Sequence, residues 1–322
     1  MELIRGLHNL EPAHRGCAVT IGNFDGVHRG HQAVLDQLAG KARELGVPSL
    51  VMIFEPQPGE FFAPGRAPAR LTRLREKLCA LDVDAVDRVL CVRFDAGFAA
   101  LSARAFVEDV LHRRLGARYV VVGDDFRFGH GREGRFEFLV QEGARLGFEV
   151  DRRNTFTVDG ERVSSTGVRE ALGRGDLARA RRLLGYHFNM RGRVAHGDKR
   201  GRSIGFPTAN IHLHRLSTPV RGVFAVGVAG IAAAPWPGVA NIGFRPTVEG
   251  GRKVPILEVH LLDFSGDVYG RHVRVDFLEH IRAEAQFGSL DELRAQIARD
   301  VARARDWHAA HPSSAPDGRP AG

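Results

Sequence analysis

Two segments of the chain concentrate residue types that handle phosphate. The first is Thr20-Ile-Gly-Asn-Phe-Asp-Gly-Val-His-Arg-Gly-His31. Gly22, Gly26 and Gly30 carry no Cβ, so backbone N–H groups there can approach an anion closely. His28 and His31 are three apart and share one face of an opening helical turn. Their imidazole N–H donors would point at whatever sits over that helix N-terminus, a place that already favours anions. Three readings compete: a glycine-rich turn with two surface histidines, a metal pair that lacks a third ligand, and an adenylyl-transfer site whose histidines stabilise a triphosphate in its transition state. Position and residue type fit the third best. The second segment, Gly192 to Asn210, places Gly197, Lys199, Gly201 and Gly205 in a basic loop ahead of Pro207-Thr-Ala-Asn210. The P-loop pattern is absent from it. Thr208 and Asn210 offer a hydroxyl and an amide oxygen, hard ligands suited to Mg²⁺. As a bare tetrapeptide the same run also reads as a capping turn.

The elements that must hold these segments alternate in the first half. Cys17 to Ile21 is a short β-prone run, Val34, Leu35, Leu38, Ala42 and Leu45 have helical spacing, Gly46 ends that helix, and Leu50 to Phe54 suits a buried strand. This β-α-β order implies a parallel sheet, in which the first segment lies at the strand-to-helix crevice where ligands bind. Val86 to Phe94, Tyr119 to Val122 and Phe148 to Asp151 continue the strands. Ser102 caps a helix to about Leu115, and Phe136 to Leu146 and Asp176 to Leu184 are helical. The second half reads differently. His187 to Ala195, Val223 to Val228, Val239 to Ile242, Leu257 to Leu262 and His272 to Leu278 are short β runs with no helix between them, as in an antiparallel barrel. Alternation over Val273-Arg274-Val275-Asp276-Phe277 predicts one wet face. A closing helix follows, with Ser289 and Glu292 as its capping box and Leu290, Leu293, Ile297 and Val301 as its apolar stripe. The expected fold is α/β: a Rossmann-like domain over 1–186, a β-barrel domain over 187–309, and a disordered tail over 310–322.

Composition narrows the function. The 322 residues suit two domains, and the net charge of +8 is spread without a basic block. That pattern fits a polyphosphate substrate, or merely an arginine- and alanine-rich composition, better than it fits nucleic acid. No apolar run is long enough to span a membrane. Met1 to Leu10 carries Glu2, Arg5 and His8 and lacks a signal core, so the cytoplasm is expected. Cys17, Cys79 and Cys91 form no CxxC pair and read as reduced residues.

His28-Arg-Gly-His31 is the HxGH signature of the nucleotidyltransferase superfamily, and Gly22 to His31 closely resembles the N-terminal domain of bacterial bifunctional riboflavin kinase/FAD synthetases. Phe54-Glu-Pro-Gln-Pro-Gly-Glu-Phe-Phe62, Val121-Val-Gly-Asp-Asp-Phe-Arg-Phe-Gly129 and Val163-Ser-Ser-Thr-Gly-Val-Arg169 match that family in order. The resemblance implies adenylylation of FMN to FAD, with His28 and His31 catalytic. Gly22, Asn23, Asp25, Gly30, Ser164, Ser165, Thr166 and Arg169 would bind ATP, and Phe62, Asp125, Phe126 and Phe128 would bind flavin. Taken singly, the phenylalanines are core residues and Ser164 to Thr166 are helix caps. In the second half the Pro-Thr-Ala-Asn element, Asn241 to Thr247, Leu257 to His260, Asp263-Phe264, Tyr269-Gly270 and Ile281 to Phe287 resemble the riboflavin kinase family. That resemblance implies phosphorylation of riboflavin to FMN by Mg-ATP. It assigns Glu258 as the base, Gly197, Lys199 and Gly205 to ATP, Thr208 and Asn210 to the metal, and Arg282 and Phe287 to the flavin. The partners implied are riboflavin, FMN and ATP, with no nucleic acid and no membrane. Two rivals fit less well. A single-activity adenylyltransferase for nicotinate mononucleotide or phosphopantetheine lacks the barrel. An RNA-binding barrel calls for clustered basic and aromatic residues that are not found.

Overall fold

The computed structural model describes residues 1–83, 86–195, 205–246 and 253–312. Gly197, Lys199 and Gly201 of the basic loop, Thr247, and the tail from 313 lie outside them. Contacts divide the chain into two units, Met1–Pro68 with Arg73–Val163, and Ala69–Thr72 with Ser164–Gly322.

The first unit is a six-stranded, all-parallel sheet in the order β1-β4-β3-β2-β5-β6. Its strands are β1 (Glu2–Arg5), β2 (Ala18–Ile21), β3 (Ser49–Glu55), β4 (Arg88–Arg93), β5 (Tyr119–Gly123) and β6 (Glu149–Arg153). The central runs are apolar on both faces because helices cover both, which is why β2 reads as continuous rather than alternating. The covering elements are α1 (Arg29–Leu45), α2 (Pro58–Phe62), α3 (Leu74–Val83), α4 (Ala96–Ala99), α5 (Ala103–Ala105) and α6 (Phe136–Leu146). A hairpin of β7 (Thr157–Val158) and β8 (Glu161–Arg162) follows. Gly46 ends α1 in the left-handed conformation, as its position predicts. Chain order reverses where β2 meets β5, so the loops leaving those two strands flank the binding crevice.

Two features of this unit depart from the sequence reading. β1 was not expected, since Glu-Leu-Ile-Arg has only two apolar residues; as an edge strand on β4 it buries Ile4 alone. The helix after Ser102 is capped by the Ser102 hydroxyl, which accepts the Ala105 N–H at 3.1 Å. It then widens into a π-helix over Phe106–Arg114. The wider turn gathers Phe106, Val107, Val110 and Leu111 on one buried side.

The second unit opens with α7 (Ser165–Gly173) and α8 (Leu177–Leu184), capped by Ser164 and Asp176. A closed antiparallel barrel follows in the order β10-β13-β12-β11-β14-β9. Its strands are β9 (Asn189–Ala195), β10 (Ala209–His212), β11 (Gly222–Ala229), β12 (Trp236–Pro246), β13 (Lys253–Leu261) and β14 (His272–Arg282). Closure leaves no edge strand to be covered. The last helix, α9 (Leu290–Ala310), packs Ile297, Val301, Ala304 and Trp307 on Val223, Ala225, Val239 and Ile281.

Three expectations here are corrected. Leu290 is 70 % exposed and is not part of the stripe; it stands in the first turn, outside the cluster that begins at Ile297. The capping box is only half formed. Ser289 accepts the Glu292 N–H, but the Glu292 carboxylate takes the Gly288 N–H instead of that of Ser289. The wet face of β14 is dry. Arg274 and Asp276 are both buried and pair at 2.9 Å, and α8 and α9 pack on this strand. Alternating charges can therefore mark a buried pair as well as a solvent face.

Candidate active sites

In the first unit, β2 ends at Ile21 and α1 starts after His28, so the motif forms the turn between them. The turn is tight enough to place Phe24 (φ 45°) and Val27 (φ 35°) in the left-handed region. A β-branched residue is rarely found there, and such strain persists where surrounding structure imposes it. His28 is the N-cap of α1: its Nδ1 accepts the His31 N–H at 3.3 Å. A ring nitrogen that accepts is unprotonated, so neutral His28 carries its proton on Nε2. The two imidazoles stack with centroids 3.7 Å apart and planes 12° apart. A Cβ on Gly30 would come within 3.3 Å of the His28 ring, so this glycine clears the space the stack occupies.

Burial of the His31 ring, with positive potential from His28 and Lys77, holds its pKa well below the ordinary value. The Nδ1 of His31 is buried without a hydrogen-bond partner. A buried ring nitrogen without a partner, in the tautomer that puts the proton there, is a donor that an incoming polyanion would satisfy. Among the described residues no group of three or more His, Cys, Asp or Glu could hold a metal ion, so the metal-pair reading finds no third ligand. Gly22 is used differently than expected. Its N–H donates to the Met52 oxygen at 3.1 Å, and what it contributes is room beside the Phe24 ring. Asp25 is buried, whereas Asn23 is exposed at the crevice.

A cavity of about 580 Å³ begins at Ile21, Gly22 and Asn23, within the range of small-molecule sites. Phe54, Phe62, Phe94, Phe98, Phe126 and Phe128 wall it, and Asp125 lies on its lining. Phe126 and Phe128 stack at 5.4 Å and 19°, presenting parallel rings. Phe62 is 68 % exposed, an aromatic left uncovered at the mouth. The sequence reading named Phe62, Asp125, Phe126 and Phe128; it missed Phe94 and Phe98, which no motif marks but which follow β4 at the same end of the sheet. It also missed Lys77 on α3, which is 0 % exposed. A lysine in a helix interior gives no sequence sign of burial.

Ser164, Ser165, Thr166 and Arg169 belong to the second unit by contacts. Ser164 caps α7 through its hydroxyl, which accepts the Gly167 N–H at 3.1 Å. Arg169 donates from Nε to the Ala69 oxygen at 2.7 Å.

The barrel brings the kinase candidates together. Asn210 on β10 lies opposite Glu258 on β13, and Glu258 lies opposite Asn241 on β12. Thr208 and Asn210 are half-buried, as is Glu258. Their hydroxyl, amide and carboxylate oxygens are a donor set suited to Mg²⁺. His260, two residues from Glu258 and so on the same face, donates from Nδ1 to the Pro207 oxygen at 2.9 Å, and its ring meets Phe206 at 5.6 Å. It anchors the Pro-Thr-Ala-Asn element to β13, a role the sequence reading did not see. Gly205 is exposed with φ 86° at the start of that element. A second cavity, about 270 Å³, is lined by Pro207, Thr208, Phe264 and Tyr269.

Arg282 is held by α9. Its Nε and Nη2 donate to the Asp300 carboxylate at 3.0 and 2.8 Å, and its guanidinium lies 5.6 Å from the centroid of the Phe287 ring. Asp300 was missed because only the packing of α9 brings it to β14. The three cysteines are free, and burial pushes the Cys17 thiol up to about 12, so it offers no thiolate.

A doubly wound domain with paired histidines at its first crevice, joined to a closed barrel with an oxygen-rich face, defines a two-domain class of nucleotide-dependent transferase. A family model described as FAD synthetase matches residues 10–167, and one described as riboflavin kinase matches residues 184–308. The bifunctional riboflavin kinase/FMN adenylyltransferase of Escherichia coli strain K12 is 56% identical over 308 residues, covering 95% of this chain and 98% of that protein. Proteins of the same description from Pseudomonas fluorescens and Haemophilus influenzae are 54% and 49% identical, over 95% of this chain and 97% and 98% of theirs. The chain belongs to the bifunctional riboflavin kinase/FMN adenylyltransferase family. A solved structure described as a macrolide-efflux protein from Streptococcus pneumoniae is 30% identical and superposes with a TM-score of 0.80, covering 95% of this chain and 100% of that one. Efflux is said of that protein; among the described residues of this chain no helix is long and apolar enough to cross a membrane.

Proposed function

We propose that the chain phosphorylates riboflavin to FMN in residues 187–309 and adenylylates FMN to FAD in residues 1–186, using ATP in both reactions. The observation that carries this reading is that one turn, between β2 and α1, holds the stacked His28–His31 pair and also gives Gly22 and Asn23 to the lining of a phenylalanine-walled cavity. A planar apolar ring suits the cavity, and a phosphate suits the imidazole donors of the turn.

The two reactions make different demands. The FMN phosphate is already ionised and attacks the α-phosphorus of ATP without a base, while the bond to the departing pyrophosphate breaks. His28 and His31 donate N–H bonds to the charge that develops, His31 from a ring whose burial disfavours its charged form. Ser164, Ser165, Thr166 and Arg169 are assigned to ATP phosphates by their motif alone. Asn23, Asp25 and Gly30 are assigned likewise. In riboflavin phosphorylation the nucleophile is a neutral ribityl hydroxyl, so Glu258 accepts its proton as the bond to the γ-phosphorus forms, while the bond from that phosphorus to the β–γ bridging oxygen breaks and ADP leaves. Thr208 and Asn210 would hold Mg²⁺, which neutralises phosphate charge when bound. Phe62, Asp125, Phe126 and Phe128 contact the flavin in one site, and Arg282 and Phe287 lie beside it in the other. An ATP substrate and three free cysteines fit the cytoplasm.

Incubation with riboflavin and Mg-ATP, followed by chromatography of the flavins, should yield FMN and then FAD. Recovery of riboflavin alone would sink the proposal.

A further inference from the structure

The segment that carries Phe126 and Phe128 into the wall of the first cavity is fastened at two points. β5 ends at Gly123, and the Phe126 N–H returns to the Gly123 oxygen at 3.3 Å, so Asp124 and Asp125 are the middle residues of a turn. Further on, Phe128 pairs with Gly134 through two backbone hydrogen bonds of 3.2 and 2.8 Å, which fixes the far end. Asp124 fastens the near end. One of its carboxylate oxygens accepts the Thr155 hydroxyl, and the other accepts from Arg162 Nη2 at 3.4 Å. The same Nη2 lies 3.7 Å from the Asp125 carboxylate. Thr155 precedes β7 and Arg162 ends β8, so both partners belong to the hairpin that follows β6. Among the described residues those two strands pair only with each other, and an isolated hairpin is marginal, so the clasp steadies hairpin and turn together. Asp124 and Arg162 are both partly in solvent, and their ion pair alone is worth little. With both oxygens engaged, however, the carboxylate has one direction, and so has the turn. Phe126 lies between the two anchors; it is half-buried, lines the cavity and stacks on Phe128. The bridge to Gly134 holds Phe128, whereas Phe126 takes its place in the stack from the turn.

We propose that Asp124 is a positioning residue for the adenylylation of FMN: through Thr155 and Arg162 it holds the turn so that the Phe126 ring stays close to parallel with Phe128 and walls the flavin. The inference rests on the reading of Phe126 and Phe128 as flavin contacts. Asp124 takes no part in the chemistry and moves no proton. Its effect falls on flavin binding, and therefore on KM rather than kcat. The sign of that effect is diagnostic. A carboxylate acting only through its charge would repel anionic FMN, so its removal would tighten binding; a carboxylate acting through the turn loosens binding when it is removed.

The test uses the full chain with Asp124→Ala, Asp124→Asn and Thr155→Val, assayed for steady-state adenylylation of FMN. Thermal unfolding reports the fold, and phosphorylation of riboflavin reports the other reaction. Asp124→Ala should raise the KM for FMN about threefold to tenfold, the range that one aromatic stacking contact spans. The kcat should stay within about twofold, because no reacting atom is touched. Asp124→Asn keeps an acceptor for the Thr155 hydroxyl and should raise the KM less. Thr155→Val removes one of the two bonds and should also raise it; this variant carries the test if Asp124→Ala does not fold. Asp124→Ala combined with Thr155→Val should be no worse than Asp124→Ala, because the hydroxyl then has no acceptor left to lose. An unchanged or lowered KM for FMN in Asp124→Ala, additive losses in the double variant, or a change confined to kcat would overturn the role. Phe126→Ala separates the two layers. A wild-type KM for FMN in it overturns the flavin reading of Phe126. A raised KM there beside an unchanged one in Asp124→Ala overturns the Asp124 inference alone.

Discussion

The paired histidines carry a pH signature of their own. In the unfolded chain His31 titrates near its ordinary value of 6.5, and in the folded site well below it. The unfolded state therefore binds more protons over the window between those values. Stability is complete above about 6.5 and is lost as pH falls toward the folded pKa. Thermal unfolding of the wild-type chain should drop on going from about pH 7.5 to about 5.5, and His31→Gln should flatten that drop. The same slope in both proteins would exclude His31 as the source; the depressed His308 contributes equally to each and cancels in the comparison. At this scale much was legible: the types and spacing of His28, His31, Thr208, Asn210 and Glu258 are in the chain itself. Asn241 and His260 were not, because a single strand position does not announce which residue faces it across a ladder.

Elements decide which side chains can act. Arg282 looks like a free cation in sequence, yet α9 supplies Asp300, buried and bonded to both Arg282 and Gln296. Asp300→Ala leaves the half-exposed guanidinium without its carboxylate and should cost about 1–3 kcal/mol, the worth of hydrogen bonds to a charged group. A drop of several degrees in the barrel's unfolding midpoint would register that loss. Kinase activity should fall with it while adenylylation of supplied FMN persists, and Asp300→Asn should lose less. Unchanged stability in Asp300→Ala would mean that the pair does not hold β14 to α9. A second contact of this kind sits at Gly175, where φ is +74° and a Cβ would meet His280 Nδ1 at 2.6 Å. The turn between α7 and α8 thus presses on β14, a packing relation that helical periodicity in Asp176 to Leu184 does not convey.

Across the whole molecule the two reactions should separate. Replacing His28 and His31 together by Ala should abolish FAD formation and spare FMN formation. Glu258→Ala should do the reverse, still making FAD from supplied FMN. A mixture of the two variants should then convert riboflavin to FAD, since each supplies the step the other lacks. Equal loss of both steps in both variants would rule out independent sites. The chain's own order of residues determined the α/β and barrel classes, since the period of apolar residues switches from helix and strand to strand alone near residue 187. The residues proposed to handle phosphate are legible there too, since they are contiguous in the HxGH and Pro-Thr-Ala-Asn segments. Only the tertiary structure decided that Gly22 donates to Met52, that Arg274 and Asp276 are a buried pair, and that Asn241 stands beside Glu258. These depend on which strand lies next to which and what covers each face, a choice made by burial of the whole core rather than by local spacing.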